Sequence, residues 1–171
     1  EDPVPPPINH AYVIVLADQD VAAAAQQPDT TPYLAKTLAP KGTVLSGYRA
    51  IAKGSLPNSV ALVSGQGPTP QTADGCPTYT DIAPGDIGKN SQELGTGCVA
   101  SVQTGTIGDQ LVANGSTWRA YVEGPDGVGC RHPVAGEADP HHEAQAGDPT
   151  VTWRNPFAYF HTAMDSPDCT K

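Results

Sequence analysis

The sequence predicts an α/β domain in which helices flank a mostly parallel sheet. Two short apolar runs, residues 11–16 (AYVIVL) and 43–48 (TVLSGY), have the composition of strands buried on both faces. The segment between them is helical in pattern, and strand, helix and strand within about forty residues form a βαβ unit. The 18 glycines and 18 prolines, about a fifth of the 171 residues, predict long irregular connections around this core.

The first predicted helix joins these two strands and covers residues 30–42 (TTPYLAKTLAPKG). A threonine is placed to cap it, and Pro32 falls in the first turn, where a backbone N–H has no helical partner. Pro40 and Gly42 are the residues that end it.

The second predicted helix begins near Ser55, within the stretch AKGSLPNSVALVSG. Leu56, Val60 and Val63 recur at helical spacing after it, and Pro57 is tolerated because it lies in the first turn.

A third helix is predicted over residues 106–115, followed by a strand over 117–124. Thr106 and Asp109 form a capping-box-like start, and Gly115 is the expected stop. Ile107 and Leu111 are expected to face inward.

Two long polar segments, 65–103 and 125–152, interrupt this core. The first holds Cys76 and Cys98, which are placed to staple it. None of the four cysteines forms a CxxC pair, so a zinc or redox motif is not indicated, and spacing alone leaves three disulfide connectivities open. An even cysteine count in a loop-rich acidic chain favours two disulfides and an oxidising compartment. The N-terminal EDPVPPP is typical of a mature terminus from which a signal peptide was removed, which predicts a secreted protein.

The formal net charge of −9 excludes two classes of partner. Nucleic acid and anionic membrane surfaces would both be repelled. No apolar run approaches the roughly 20 residues that span a bilayer, so no transmembrane segment is expected.

Polar side chains follow both predicted strands at the sheet edge where ligands bind in open α/β folds. Asp18 follows the first strand, and Ser55 lies after the second at a helix N-terminus, where the dipole favours negative charge. Asp18 is a candidate ligand for a divalent metal, and Ser55 a nucleophile that such an ion would activate. Asn58 could donate to a phosphate oxygen, and Lys53 could pair with the phosphate. The ordinary alternatives are a helix-capping Ser55, a turn residue at Asp18 and an exposed helical Asn58.

The histidines are weaker candidates. His141 and His142 lie in DPHHEAQAGD, but adjacent side chains on an extended chain point to opposite sides, so a solvated loop is favoured over a metal site. His161 is isolated in sequence and is expected to be structural.

Five segments, taken in order, resemble the bacterial phosphoesterase family, which includes acid phosphatases and phospholipase C-like enzymes of the alkaline phosphatase superfamily. They are AYVIVLADQD, TPYLAKTLAPKGTVLSGYRAIAKGSLPNSVALVSGQ, DGCPTYTDI, TIGDQLVANGSTWRAYVEG and TWRNPFAYFHTAMDSPDC. The resemblance spans essentially the whole chain. It implies an alkaline-phosphatase-like core that is incomplete over 1–171, so that this single domain would be the N-terminal portion of a larger one. A C-terminal half of the same protein would supply the remaining ligands.

The resemblance also implies a metal-dependent hydrolase of phosphate esters that works through a covalent phosphoseryl intermediate. Ser55 falls on the family's nucleophile and contributes to the metal site. Asp18 falls on the asparagine of the family's E-N pair, a first metal ligand, and Asn58 falls on the asparagine after proline. The disulfides that suit the family are Cys76–Cys98 and Cys130–Cys169.

Three departures from the family pattern favour alternatives from other classes. Ala17 replaces a glutamate ligand, Lys53 replaces the histidine two residues before the nucleophile, and Arg154 replaces a histidine in WRNP. Lys53 and Arg154 could instead bind a phosphorylated or sulfated ligand by charge alone. The alternatives are therefore a non-catalytic anion-binding module and a structural surface protein on a degenerate phosphoesterase scaffold.

Overall fold

The computed structural model describes residues 8–16, 29, 31–45, 47–122 and 131–170. The chain divides into two compact units, Glu1–Tyr48 and Arg49–Lys171. That residues 1–171 form a single domain, as the N-terminal portion of a larger one, stays a prediction.

Among its described residues, the first unit contains one helical segment, at the place where a helix is predicted. A π-helix covers Tyr33–Leu38 and a 3-10 turn covers Ala39–Lys41. Gly42 ends the segment as predicted, with its N–H donating to the carbonyl of Ala39 at 3.3 Å. The start differs, because Pro32, which makes no side-chain capping hydrogen bond, holds the N-cap position.

The prediction of two buried parallel strands in this unit is wrong. Residues 11–16 and the described part of 43–48 lie in no sheet, and Tyr12 and Ile14 are 86% and 82% exposed. A strand that is apolar on both faces is stable only where neighbouring strands pair its edges and helices cover its faces. An apolar run in the sequence carries no information about whether such neighbours are present.

The second unit contains four α-helices among the residues that the structure describes. They are α1 (Ser55–Ser64), α2 (Pro70–Ala73), α3 (Ile107–Ala113) and α4 (His161–Met164). Four 3-10 turns lie between or after them, at Lys89–Ser91, Thr152–Arg154, Pro156–Tyr159 and Pro167–Thr170. No helix of the described part of the chain is long and apolar enough to cross a membrane.

The described residues of this unit form a two-stranded antiparallel hairpin. Its strands are β1 (Ala83–Ile87) and β2 (Glu93–Thr96), with an irregularity between Pro84 and Asp86. The fold therefore mixes helices and strands as predicted, but the described residues form this hairpin in place of a mostly parallel sheet. The predicted strand over 117–124 is also absent from its described residues, 117–122.

The hairpin lies inside the segment 65–103, which is predicted as an irregular excursion. Close backbone approach at its base requires glycine, because a Cβ at Gly97 would lie 2.1 Å from the carbonyl oxygen of Asp81. The predicted disulfide Cys76–Cys98 is present and staples this segment. Cys130 lies outside the described residues, so the Cys130–Cys169 pair stays a prediction.

The core of the second unit forms around α1 and the aromatic segment near α4. Leu56 and Val60 of α1 are buried as their helical spacing predicts. They belong to a cluster with Cys76, Tyr79, Cys98, Val99, Ala100, Ala158, Tyr159, Phe160 and Ala163. Helix α1 packs against the 3-10 turns 152–154 and 156–159.

Helix α3 confirms the local signals that predict it. The Thr106 hydroxyl accepts from the Asp109 N–H, and the Asp109 carboxylate accepts from the Thr106 N–H at 2.6 Å, which completes a capping box. Gly115 follows the helix at φ +73° as the expected stop. The inward orientation expected for Ile107 is wrong, because its side chain is 44% exposed.

Candidate functional site

The first candidate feature is the turn that leads into α1. Gly54 holds the N-cap position at φ 84° and ψ 159°, a conformation that is essentially restricted to glycine. Ser55 is the first residue of the helix, so the alternative in which Ser55 caps α1 is wrong. The buried side chains of Leu56 and Pro57 anchor this first turn in the core. Ser55 itself is half-buried at the positive end of the helix dipole.

Asn58 binds the same turn through three hydrogen bonds. Its Oδ1 accepts from the N–H of Ile51 at 2.9 Å, and its Nδ2 donates to the carbonyls of Ala52 at 2.8 Å and Gly54 at 2.7 Å. Asn58 is therefore not an exposed helical residue without a role. The predicted contact between Asn58 and a phosphate oxygen stays a prediction, and both amide hydrogens that it would use are already donated.

The two predicted cationic residues are both exposed on the second unit. Lys53 is exposed on the turn, two residues before Ser55. Arg154 is exposed at the end of the 3-10 turn Thr152–Arg154, with its guanidinium carbon 5.6 Å from the centroid of the Trp153 ring. Helix α1 packs against this 3-10 turn.

The predicted metal site is not assembled by the described residues alone. Asp18 and Ala17 lie outside them, and within the described ranges no group of three histidine, cysteine or carboxylate side chains is arranged so that it could hold a metal ion. Ser55 is the one predicted ligand whose position is described. A site for a divalent ion at Ser55 therefore depends on Asp18 and stays a prediction.

The segment around His141 and His142 is folded and partly buried. Asp139 is 7% exposed, and its Oδ1 accepts from the His141 N–H at 2.8 Å and from the Thr152 hydroxyl at 3.0 Å. The ring of His141 contacts Arg131, whereas the ring of His142 lies beside Gly75, so the two rings diverge as expected. The prediction of a solvated loop is wrong for Asp139.

Sequence reasoning missed the surroundings of His161. Its Nε2 lies 3.0 Å from Asp81 Oδ1 and its Nδ1 lies 2.8 Å from Asp165 Oδ2. Partial burial disfavours the charged ring, but hydrogen bonds to the two carboxylates outweigh it and raise the pKa of His161. The i, i+4 spacing of His161 and Asp165 was a readable signal, whereas the contact with Asp81 spans eighty residues.

The chain matches a protein-family model. Residues 12–166 match the model of the family described as the phosphoesterase family. The matched range contains Ser55, Asn58 and the loop with the Cys76–Cys98 disulfide. Comparisons with curated proteins and with solved structures find no match.

Proposed function

Because the chain belongs to the phosphoesterase family, we propose that it carries the nucleophile of a secreted, metal-dependent phosphoesterase, and that this nucleophile is Ser55. The observation that carries the proposal is the position of Ser55 as the first residue of α1, directly after Gly54. The positive end of a helix dipole stabilises the negative charge of a phosphate group and of an alkoxide. The well-packed first turn supports a fixed position for the hydroxyl.

The proposed reaction has two steps. In the first, Ser55 Oγ forms a bond to phosphorus, the bond from phosphorus to the ester oxygen breaks, and the released alcohol takes up the proton lost by Ser55. In the second, water attacks phosphorus, the bond to Ser55 Oγ breaks, and a proton from the water restores the serine hydroxyl. The product is inorganic phosphate from a monoester and a phosphate monoester from a diester. The substrates are phosphate monoesters or diesters.

Asp18 and Ser55 are the proposed ligands of a divalent ion. Such an ion, when bound, lowers the pKa of the attacking hydroxyl and offsets charge on the phosphoryl oxygens. This chain's own contribution includes Lys53, whose ammonium supplies a local positive charge in a protein whose net charge is −9. Further ligands would come from a C-terminal half of the same protein.

Secretion is part of the proposal. The Cys76–Cys98 disulfide supports it, because structural disulfides persist mainly in oxidising compartments outside the cytosol.

A non-catalytic anion-binding module is the second candidate. Ala17, Lys53 and Arg154 favour it, since one carboxylate ligand of the family pattern is replaced by alanine and two histidines by a lysine and an arginine. Both cations are exposed on the second unit. The module would bind inorganic phosphate after chelation, whereas the enzyme would require the ion.

The test compares Ser55→Ala with Ser59→Ala in the full-length protein. Ser59 lies one turn further along the same helix and serves as the matched control. Hydrolysis of p-nitrophenyl phosphate and bis-p-nitrophenyl phosphate is measured with and without a chelator. The proposal expects turnover to be lost in Ser55→Ala and after chelation, and kept in Ser59→Ala. Unchanged turnover in Ser55→Ala would contradict the assignment of Ser55 as the nucleophile.

A further inference from the structure

We propose that Asn58 is a positioning residue, which holds the turn 51–54 in the conformation that presents Ser55 and does not itself bind the substrate. This inference rests on the proposed function of Ser55. Asn58 follows Ser55 by three residues, so its side chain reaches back over the first turn of α1 to the segment before it.

The hydrogen-bond inventory of the amide supports this role. A carboxamide has two donor hydrogens, and Asn58 uses them on the carbonyls of Ala52 and Gly54. Its oxygen accepts from the N–H of Ile51. To donate to a phosphate oxygen, Asn58 would have to release one of the two carbonyls. The ligand role and the observed conformation of the turn therefore compete for the same hydrogens.

Each of these two carbonyls belongs to the peptide unit that directly precedes a proposed site residue. The Ala52 carbonyl shares a planar unit with the N–H of Lys53, and the Gly54 carbonyl shares one with the N–H of Ser55. In a trans peptide the C=O and N–H point in opposite directions. By binding both carbonyls on one side, Asn58 fixes the direction of both N–H groups, and with them the start of the Ser55 side chain.

Gly54 and Asn58 both determine the conformation of the turn before α1. The backbone of Gly54 lies in a region that residues with a Cβ avoid, and the Nδ2 of Asn58 holds its carbonyl there. Gly54→Ala favours a different turn, and Asn58→Ala removes the contacts that hold the present one. Both variants should therefore lower kcat for the same reason, which is a displaced Ser55 hydroxyl.

The first experiment is a double-mutant cycle of Gly54→Ala and Asn58→Ala, with Ser59→Ala as the control. Values of kcat and KM are measured for p-nitrophenyl phosphate and its bis ester. We expect each single variant to lower kcat by about 100-fold, the effect of a misplacement of about 1 Å, with KM changed by less than about threefold. The double variant should be no worse than the poorer single one, because both changes act on one turn.

A direct ligand role predicts different results. Asn58→Ala would then raise KM with kcat unchanged, or its effect would multiply with that of Gly54→Ala. Either result would overturn the positioning role. Loss of the fold is not a substitute explanation for a kcat effect, because Ser59→Ala and the unfolding midpoint of each variant are measured alongside.

The second experiment needs no turnover and separates this inference from the proposed function. Amide hydrogen exchange is measured for Ile51 in the ligand-free full-length protein. We expect exchange at Ile51 to be faster in Asn58→Ala than in the wild type and unchanged in Ser59→Ala. Unchanged exchange in Asn58→Ala would refute the positioning role of Asn58 even if Ser55 is the nucleophile. Turnover that survives Ser55→Ala would refute the assignment of Ser55 as the nucleophile, and the exchange result would still decide whether Asn58 holds the turn.

Discussion

Two tyrosines in the core provide a matched test of how hydrogen bonding contributes to the stability of the second unit. Tyr79 and Tyr159 are 2% and 1% exposed, and their ring centroids lie 5.7 Å apart. The Tyr79 hydroxyl donates to the carbonyl of Ala158, whereas the Tyr159 hydroxyl has no hydrogen-bond partner within the described residues. Burial raises the pKa of both phenols above the usual range, so both are neutral near pH 7.

The substitutions Tyr79→Phe and Tyr159→Phe remove the same atom from the same core with opposite expected effects. Tyr79→Phe leaves the buried Ala158 carbonyl without its partner, which should lower the free energy of unfolding by about 1–3 kcal/mol. Tyr159→Phe removes a buried hydroxyl whose desolvation is not compensated. Its free energy of unfolding should be unchanged or raised by about 1 kcal/mol.

The assay is urea-induced unfolding of the disulfide-intact protein, followed by tryptophan fluorescence. With a typical slope of about 1–3 kcal/mol per molar urea, the two variants should have midpoints that differ by roughly 1 M, at unchanged slope. A Tyr159→Phe variant as destabilised as Tyr79→Phe would refute the reasoning. A Tyr79→Phe variant with the same free energy of unfolding as the wild type would also refute it.

Two further predictions concern the pKa of His161 and the capping box at the start of α3. The pKa of His161 is raised by Asp81 and Asp165, so its stabilisation is complete below the unfolded-state pKa of about 6.5 and is lost as the pH rises through the folded-state pKa. The wild type should therefore lose stability above about pH 6.5 along a slope that His161→Gln lacks; identical slopes in urea titrations would contradict this. Thr106→Ala removes the side-chain half of the capping box with Asp109 and should cost about 1 kcal/mol of unfolding free energy. A shift in thermal midpoint no larger than that of the exposed Ser116→Ala would contradict it.

Local signals in the sequence were sufficient where the interaction is local. The capping box of Thr106 and Asp109 and the glycine stop at Gly115 involve residues within one or two turns, and both are present as predicted. The start of α1 follows from the spacing of Leu56 and Val60, and the structure places it at Ser55. The family resemblance is confirmed over residues 12–166.

The sequence was insufficient where a structure depends on distant partners. The apolar run 11–16 satisfies the pattern of a buried strand, yet its side chains are exposed. Conversely β1, whose sequence is APGDI, has little strand propensity and forms beside β2, next to the close backbone approach at Gly97.

The same limit applies to the candidate site. Asn58 binds backbone groups of the turn 51–54, and no pattern of side-chain types reveals that an amide will turn back on its own chain. The position of Ser55 at a helix start was readable, but the glycine conformation at Gly54 was not.

The central claim is that Ser55 becomes covalently phosphorylated during turnover. The most direct measurement is peptide mass mapping of the full-length protein after it is mixed with p-nitrophenyl phosphate or its bis ester and quenched in acid. We expect the peptide that contains Ser55 to gain one phosphoryl group from the monoester, or one p-nitrophenyl phosphoryl group from the bis ester, in Ser59→Ala as in the wild type and not in Ser55→Ala. Ester hydrolysis by a protein in which that peptide stays unmodified, or in which Ser55→Ala is equally active, would contradict it.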